Sequence, residues 1–173
     1  MEKGLVFDKN SSCVLQGFCD ADWAGDNETR RSTTGFTFIF GGAAVSWGSK
    51  LLKTVALSTM EAEYMALCED SKEAVWLIKI VQSVTTQGLR TAISGGPINI
   101  KVDNGGCIDF SKNPVEHKRT KHVDIRYHFV REVITTDKVT LEHCATDGMV
   151  ADPMTKELGK TKHDKHVEAM GLC

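Results

Sequence analysis

The chain has 173 residues, of which 41% are hydrophobic and 25% charged, with a net charge of −2. These values predict one soluble globular domain, and no apolar run approaches the roughly 18 residues a membrane span needs. Bulk charge carries no signal for a nucleic-acid partner, and Met1–Asn10, with its acidic residues and no apolar core, does not read as a signal peptide.

Residues 1–12 read as an unstructured lead-in, so a segment over 1–13 precedes a domain over 14–173. Val14–Asp20 alternates as a strand does, and the Gly25-Asp26-Asn27 region is a loop. Thr33–Phe40 is β-branched and aromatic, a second strand. Gly41-Gly42 turns the chain into a third strand from Ala43 to Trp47, with Thr54–Leu57 as an extension after a kink. Short connections make these three an antiparallel meander. Ser58-x-x-Glu61 is a capping box, after which Met60, Tyr64, Leu67, Ala74, Val75 and Ile78 recur at helical spacing to about Ser83. A loop over Thr85–Pro97 follows. Pro97–Asp103 is a short strand that, after a helical crossover, pairs in parallel with an earlier one. Gly105–Ser111 is a short helix or turn. Thr120–Ile134 is a helix with Val123, Tyr127, Val130 and Ile134 on one face, Lys138–His143 a fifth strand, and Val150–Leu158 and Lys162–Met170 two short helices. The order β-β-β-α-β-α-β-α predicts an α/β fold, a five-stranded mixed sheet with helices on its faces.

Four acids stand at the ends of these elements. Asp20 ends the first strand and Asp103 the fourth, so parallel neighbours would place them side by side, where function gathers in open α/β sheets. Two such carboxylates repel, and a hard divalent cation such as Mg²⁺ removes that cost. Glu63 lies one turn into the long helix at the edge of its apolar stripe, whereas Glu61 has the capping box to serve. Asp152 opens a late helix, where a carboxylate also suits the dipole. Singly, each reads as an ordinary turn, surface or capping acid; the signal is their combination.

Other groups say less. The basic stretch His117–His122, followed by Arg126 and Arg131, reads equally as a solvated helix start or a phosphate-facing patch. Cys13, Cys19, Cys68, Cys107, Cys144 and Cys173 form no C-x-x-C pair and imply a reducing compartment without disulfides. His117, His122, His143 and Cys144 match no zinc-ligand spacing.

The segments GFCDADWAGD (17–26), RRSTTGF (30–36), VSWGSK (45–50), TVALSTMEAEYMAL (54–67), KVDN (101–104), RTKHVDIRYHFVRE (119–132) and ADPMTKEL (151–158) resemble the ribonuclease H domain of copia-type LTR retrotransposon polyproteins. The similarity runs over roughly residues 14–173 in the family's order, and Met170–Cys173 resembles the natural end of such a polyprotein. It implies a type 1 ribonuclease H fold and an endonuclease that hydrolyses the RNA strand of RNA/DNA hybrids during reverse transcription. The implied active site holds two Mg²⁺ ions, with Mn²⁺ tolerated, on Asp20, Glu63, Asp103 and Asp152, and prefers Glu63 to Glu61. Asp22 is expected to support its loop, and His143 to be structural rather than a turnover aid. Ser58, Thr59 and Asn104 are candidates for testing 2′-hydroxyls in the minor groove. Implied partners are the hybrid and an adjoining reverse transcriptase domain, with no membrane, in the cytoplasm within virus-like particles. Three departures leave substrate contacts less defined: Thr59-Met60 where the family usually reads Ser-Thr, Leu51-Leu52 where the family is polar, and Gly105-Gly106-Cys107 after V-D-N. Two other readings compete. One is an inactive domain that only packs against a reverse transcriptase or binds nucleic acid. The other is an integrase-like nuclease acting on DNA, which would carry its Glu late in the chain.

Overall fold

A computed structural model describes residues 4–85, 96–112 and 121–173, and the side chains of 84–85 and 121–124 are not described. Five strands, β1 (Gln16–Asp22), β2 (Thr33–Phe40), β3 (Ala43–Leu51), β4 (Ile98–Val102) and β5 (Val139–His143), form one sheet in the order β3-β2-β1-β4-β5. The meander β1–β2–β3 is antiparallel, and β4 pairs in parallel with both β1 and β5. The helices are α1 (Thr59–Thr85), α2 (Gly105–Lys112), α3 (Lys121–Thr135) and α4 (Lys160–Ala169). The mixed sheet and the parallel β1–β4 neighbours expected from the residue pattern are both present.

Alternation along the strands loads the two faces differently. Cys19, Phe38, Ile98, Ile100 and Val102 pack with Tyr64, Leu67 and Ala74 of α1 and with Tyr127, Val130 and Val133 of α3 in the main core. On the opposite face Phe18 packs with Ala44, Met149, Val150, Ala151 and Met170, so the C-terminal segment covers that side. A third cluster of Leu52, Ala56, Ala62 and Met65 seats the β3–α1 connection under the start of α1.

Several boundaries differ from expectation. β1 begins at Gln16 and continues through Asp22, because β2 keeps pairing with it as far as Asp22–Thr33; Asp20 therefore lies inside the strand. β3 runs unbroken to Leu51, with a register shift at Phe38/Ile39 of its partner rather than a later kink, and 54–57 is not strand. The expected helix over Val150–Leu158 is a single 3-10 turn, Asp152–Met154, with Pro153 in its first turn removing a backbone donor. The predicted lead-in is not free: Leu5 bridges Leu172, and Gly4 N–H donates to Cys173 O at 3.0 Å and Val6 N–H to Gly171 O at 2.8 Å. Most of the predicted 85–97 loop lies outside the described residues.

Gly171 makes that terminal pairing possible. Its φ is +77°, and a Cβ there would stand 2.7 Å from Ala43 Cα and from Gly42 O. Gly171→Ala is expected to cost about 1–3 kcal/mol, read as a lower urea midpoint; an unchanged midpoint would refute the close approach.

Candidate metal centre

The register of β1 with β4 places Cys19 opposite Val102, so Asp20, still paired with β2, and Asp103, just past the end of β4, follow side by side. Helix α1 supplies the third acid. At its start Ser58 Oγ accepts from Glu61 N–H at 3.2 Å, and Glu61 Oε2 accepts from Leu57 N–H at 2.8 Å. Glu61 is thus spent on the cap, one residue earlier than the usual reciprocal bond, while Glu63 turns inward. Asp20, Glu63 and Asp103 bring one carboxylate oxygen each within 4.8 Å of one another. Asp20 and Glu63 are buried and Asp103 is half-buried.

Each acid has a different supply of donors. Asp20 Oδ2 accepts the Thr155 hydroxyl, and Lys156 Nζ lies 3.4 Å from it. Asp103 Oδ2 accepts from Thr146 Oγ1 at 3.2 Å, and its backbone oxygen meets His143 Nε2 at 3.1 Å. Glu63 receives the Ala21 backbone N–H, but its Oε2 is buried without a hydrogen-bond partner. Burial, then the charges of Asp20 and Asp103, push the Glu63 carboxyl up to about 9. Burial likewise raises Asp20, against the lowering effect of Thr155 and Lys156. An unpartnered oxygen amid three crowded carboxylates is a donor set suited to a hard divalent cation; the residues fit the metal that the pattern of acids implies.

Asp152 does not join the three. It is fully buried, with Lys162 Nζ at 2.6 Å from Oδ2, Lys156 Nζ at 3.0 Å from Oδ1 and His166 Nε2 at 4.0 Å. Lys156 therefore spans Asp20 and Asp152, and two ammonium groups neutralise an acid that a metal was expected to hold. The 3-10 turn bearing Asp152 reaches the site because residue 35 is glycine: a Cβ there would stand 2.6 Å from Met154 Cβ and 2.7 Å from Thr155 Cγ2. Thr155 and Lys156 sit inside the 151–158 segment that carried the resemblance, yet residue type gave them no role. Lys162, on a polar helix, had no signal at all.

Of the proposed substrate contacts, Ser58 is half-buried and engaged as the α1 cap, Thr59 is exposed, and Asn104 Oδ1 caps α2 through Cys107 N–H at 3.0 Å. Ser58 and Thr59 flank Glu63 in α1, and Asn104 follows Asp103 in the chain. His143 contacts the Asp103 backbone oxygen. In the basic stretch, 117–120 and the side chains of 121–122 lie outside the described residues. Arg131 is engaged locally, 5.2 Å from the Tyr127 ring centre and donating to its hydroxyl at 3.1 Å.

No protein-family model matches the chain. Over 162 residues, 94% of its length, it is 41% identical to the retrovirus-related Pol polyprotein from transposon TNT 1-94 of Nicotiana tabacum, spanning 12% of that relative. Among solved structures, the N-terminal RNase H domain of a Mycobacterium tuberculosis protein superposes with a TM-score of 0.58 at 12% identity, covering 91% of this chain and 99% of that one. LC11-RNase H1, solved in complex with an RNA/DNA hybrid, superposes with a TM-score of 0.55 at 10% identity, covering 82% of this chain and 93% of that one. These structural likenesses establish the shared fold.

The raised Glu63 carboxyl makes stability depend on pH. Between the ordinary value of 4.5 and about 9 the folded protein keeps a proton that the unfolded chain has lost, so metal-free stability falls as pH rises through that window. Melting curves are expected to show this slope, a rise in Tm with divalent cation that is larger at pH 8 than at pH 6, and a flatter slope in Glu63→Gln. A Tm independent of pH and of metal would contradict the crowding of the acids. Gly35→Ala is expected to lose about 1–3 kcal/mol by overpacking and to weaken cation binding, measured by calorimetry, as the 3-10 turn is pushed from Asp20.

Proposed function

The chain is a ribonuclease H-fold relative of the Pol polyproteins of copia-type retrotransposons, and from that premise we propose that it is a metal-dependent endonuclease for the RNA strand of RNA/DNA hybrids. The observation that carries this reading is the meeting of Asp20, Glu63 and Asp103 within 4.8 Å on three separate elements. The chain spans about an eighth of the relative's length, so the setting belongs to the proposal too. That setting is reverse transcription beside a polymerase domain of the same polyprotein, in the cytoplasm inside retrotransposon particles. No described helix is long and apolar enough to cross a membrane.

Asp20, Glu63 and Asp103 would hold Mg²⁺, with Mn²⁺ a substitute, and a second ion would draw Asp152 into the set. Bound divalent ions supply charge that makes water more acidic and stabilises the crowded phosphate. The chain's own work is to bring the acids together, to keep Asp20 oriented through Thr155, and to hold Asp103 through Thr146 and the His143 contact to its backbone. Water attacks the scissile phosphorus in line with the departing O3′, which takes a proton from solvent, leaving a 5′-phosphate and a 3′-hydroxyl. No side-chain nucleophile takes part.

The reading of an inactive packing domain draws on one feature, the capture of Asp152 by Lys156 and Lys162. A cleavage assay on labelled hybrid, duplex DNA and duplex RNA with Mg²⁺ or Mn²⁺ decides between them. The expected result is metal-dependent cutting of hybrid alone, lost in Asp20→Asn, Glu63→Gln and Asp103→Asn. Because Asp20→Asn and Asp103→Asn remove a crowded charge and Glu63→Gln replaces a carboxyl that keeps its proton up to about pH 9, the metal-free melting temperature of these variants near neutral pH should stay level or rise. Retained cleavage in any of them would overturn the site, and preferential cutting of duplex DNA would favour the integrase-like reading.

A further inference from the structure

At the far side of the sheet from β5, strand β3 is an end strand with an open outer edge. The C-terminal segment covers only its start, where Ala44 N–H donates to Met170 O at 2.9 Å. From Val45 to Leu51 no backbone partner stands on that side among the described residues. Leu52 N–H donates to Ser32 O at 2.8 Å, so by alternation Ser46, Gly48 and Lys50 turn their backbone groups to β2. Trp47, Ser49 and Leu51 turn theirs outward, where each donor and acceptor waits for a strand. Sheets protect such an edge with charges, proline or a covering element, and Val45–Leu51 has no proline and Lys50 as its only charge.

The two faces of this edge differ. Ser46 Oγ donates to Glu73 Oε1 at 2.6 Å and Lys50 Nζ lies 3.4 Å from Glu69 Oε2, so these side chains face α1. Val45, Trp47 and Leu51 stand on the other face and are 39%, 52% and 38% exposed; Leu51 is also a position where the family is polar. On the α1 side the charges are unevenly shared. Glu69 has both Lys50 and Lys72, the latter at 2.7 Å, whereas Glu73 forms no ion pair among the described residues. Phe36, Gly48, Lys50, Glu69 and Glu73 bound a cleft of about 350 Å³ between helix and edge. A Cβ at Gly48 would stand 2.7 Å from Phe36 Cε1, so the ring fills the space a side chain there would take.

We propose that β3 pairs with β3 of a second copy of this chain, antiparallel about a two-fold axis at Gly48, and so joins two sheets into one. The open stretch from Val45 to Leu51 has Gly48 at its centre, which fixes the register. Directly opposed residues share a face. Val45 meets the partner's Leu51, and Trp47 lies diagonal to the partner's Trp47 and to the partner's Leu51. All three exposed apolar side chains are thereby covered on both copies. On the other face Ser46 meets the partner's Lys50, which brings an ammonium to Glu73, the acid that lacks one. Backbone parity agrees. Trp47 and the partner's Ser49 form a hydrogen-bonded pair, and Ser46 and the partner's Lys50 a non-hydrogen-bonded one, in which side chains come closer. The occupant this edge fits is apolar on one face and cationic on the other at these spacings, which is the chemistry of β3 itself. The axis stands perpendicular to the sheet, so the two acidic centres lie at opposite ends of the joined sheet. The pairing is independent of the nuclease reading.

Sedimentation velocity of the full chain over a concentration series tests it. One strand edge buries an area at the low end of specific interfaces, so a dissociation constant on the order of 10 μM is expected. Lys50→Glu and Glu73→Lys each set like charges across the axis and should weaken the dimer by roughly tenfold or more. An equimolar mixture of the two should recover it as a heterodimer, because each variant supplies the charge that the other lacks at both contacts. Trp47→Lys, at a residue already half exposed, should keep the melting temperature and lose the dimer, and neither charge variant should rescue it. Hydrogen exchange on the wild type reads the pairing without any substitution: the Trp47, Ser49 and Leu51 amides should slow as concentration rises. A wild type that stays monomeric, edge amides that exchange equally fast at every concentration, a dimer that survives Trp47→Lys, or a charge-variant mixture that remains monomeric would each overturn the proposal. Cleavage of hybrid is measured alongside, at a concentration where the chain is monomeric, and should be the same in Trp47→Lys as in wild type. A wild type that dimerises without cutting defeats the nuclease reading and leaves the pairing standing; one that cuts as a monomer at every concentration does the reverse.

Discussion

Parallel pairing of β1 with β4 is the constraint from which the site follows. It sets Asp20, within β1, beside Asp103 at the exit of β4, and α1, crossing over the same sheet face, adds Glu63 to them. Nothing in the folding of a hydrophobic core asks for three carboxylates at one spot. Burial and mutual repulsion hold Glu63 far above the ordinary range of a carboxyl group, so the fold carries an electrostatic cost that a divalent cation would relieve.

Local chemistry limits that cost. Thr155 and Lys156 serve Asp20, and Lys156 with Lys162 neutralises Asp152. Gly35 makes these contacts possible, since a side chain there would keep the 3-10 turn off the sheet. Three of the four expected acids form a cluster; the fourth belongs to a lysine-bound layer directly behind it.

What could be read from residue order was whatever has a period or a cap. The meander, the amphipathic α1 with its Ser58–Glu61 cap, and the parallel return through 98–102 all follow from alternation, helical spacing and crossover length. The choice of Glu63 over Glu61 was legible because the cap claims Glu61. Tertiary contacts were not. Asp20 looked like a strand end because the partner that extends β1 to Asp22 lies at Thr33, eleven residues further on. Residues 150–158 looked helical by composition, whereas Pro153 and the close fit against Gly35 reduce them to one turn. The pairing of Leu5 with Leu172 joins residues at opposite ends of the chain and leaves no local trace in either segment.

That pairing bears on how the protein comes into being. The sheet and α1 need only residues up to 143, but the back of the sheet is covered by Met149, Val150, Ala151 and Met170, and Asp20 awaits a hydroxyl from position 155. During synthesis the early strands must stand with Phe18 uncovered until residues 149–170 leave the ribosome. Contacts of such long sequence separation form late. The clustered acids thus gain part of their support only from this later segment, and a chain without it has a sheet whose Asp20 lacks the Thr155 hydroxyl.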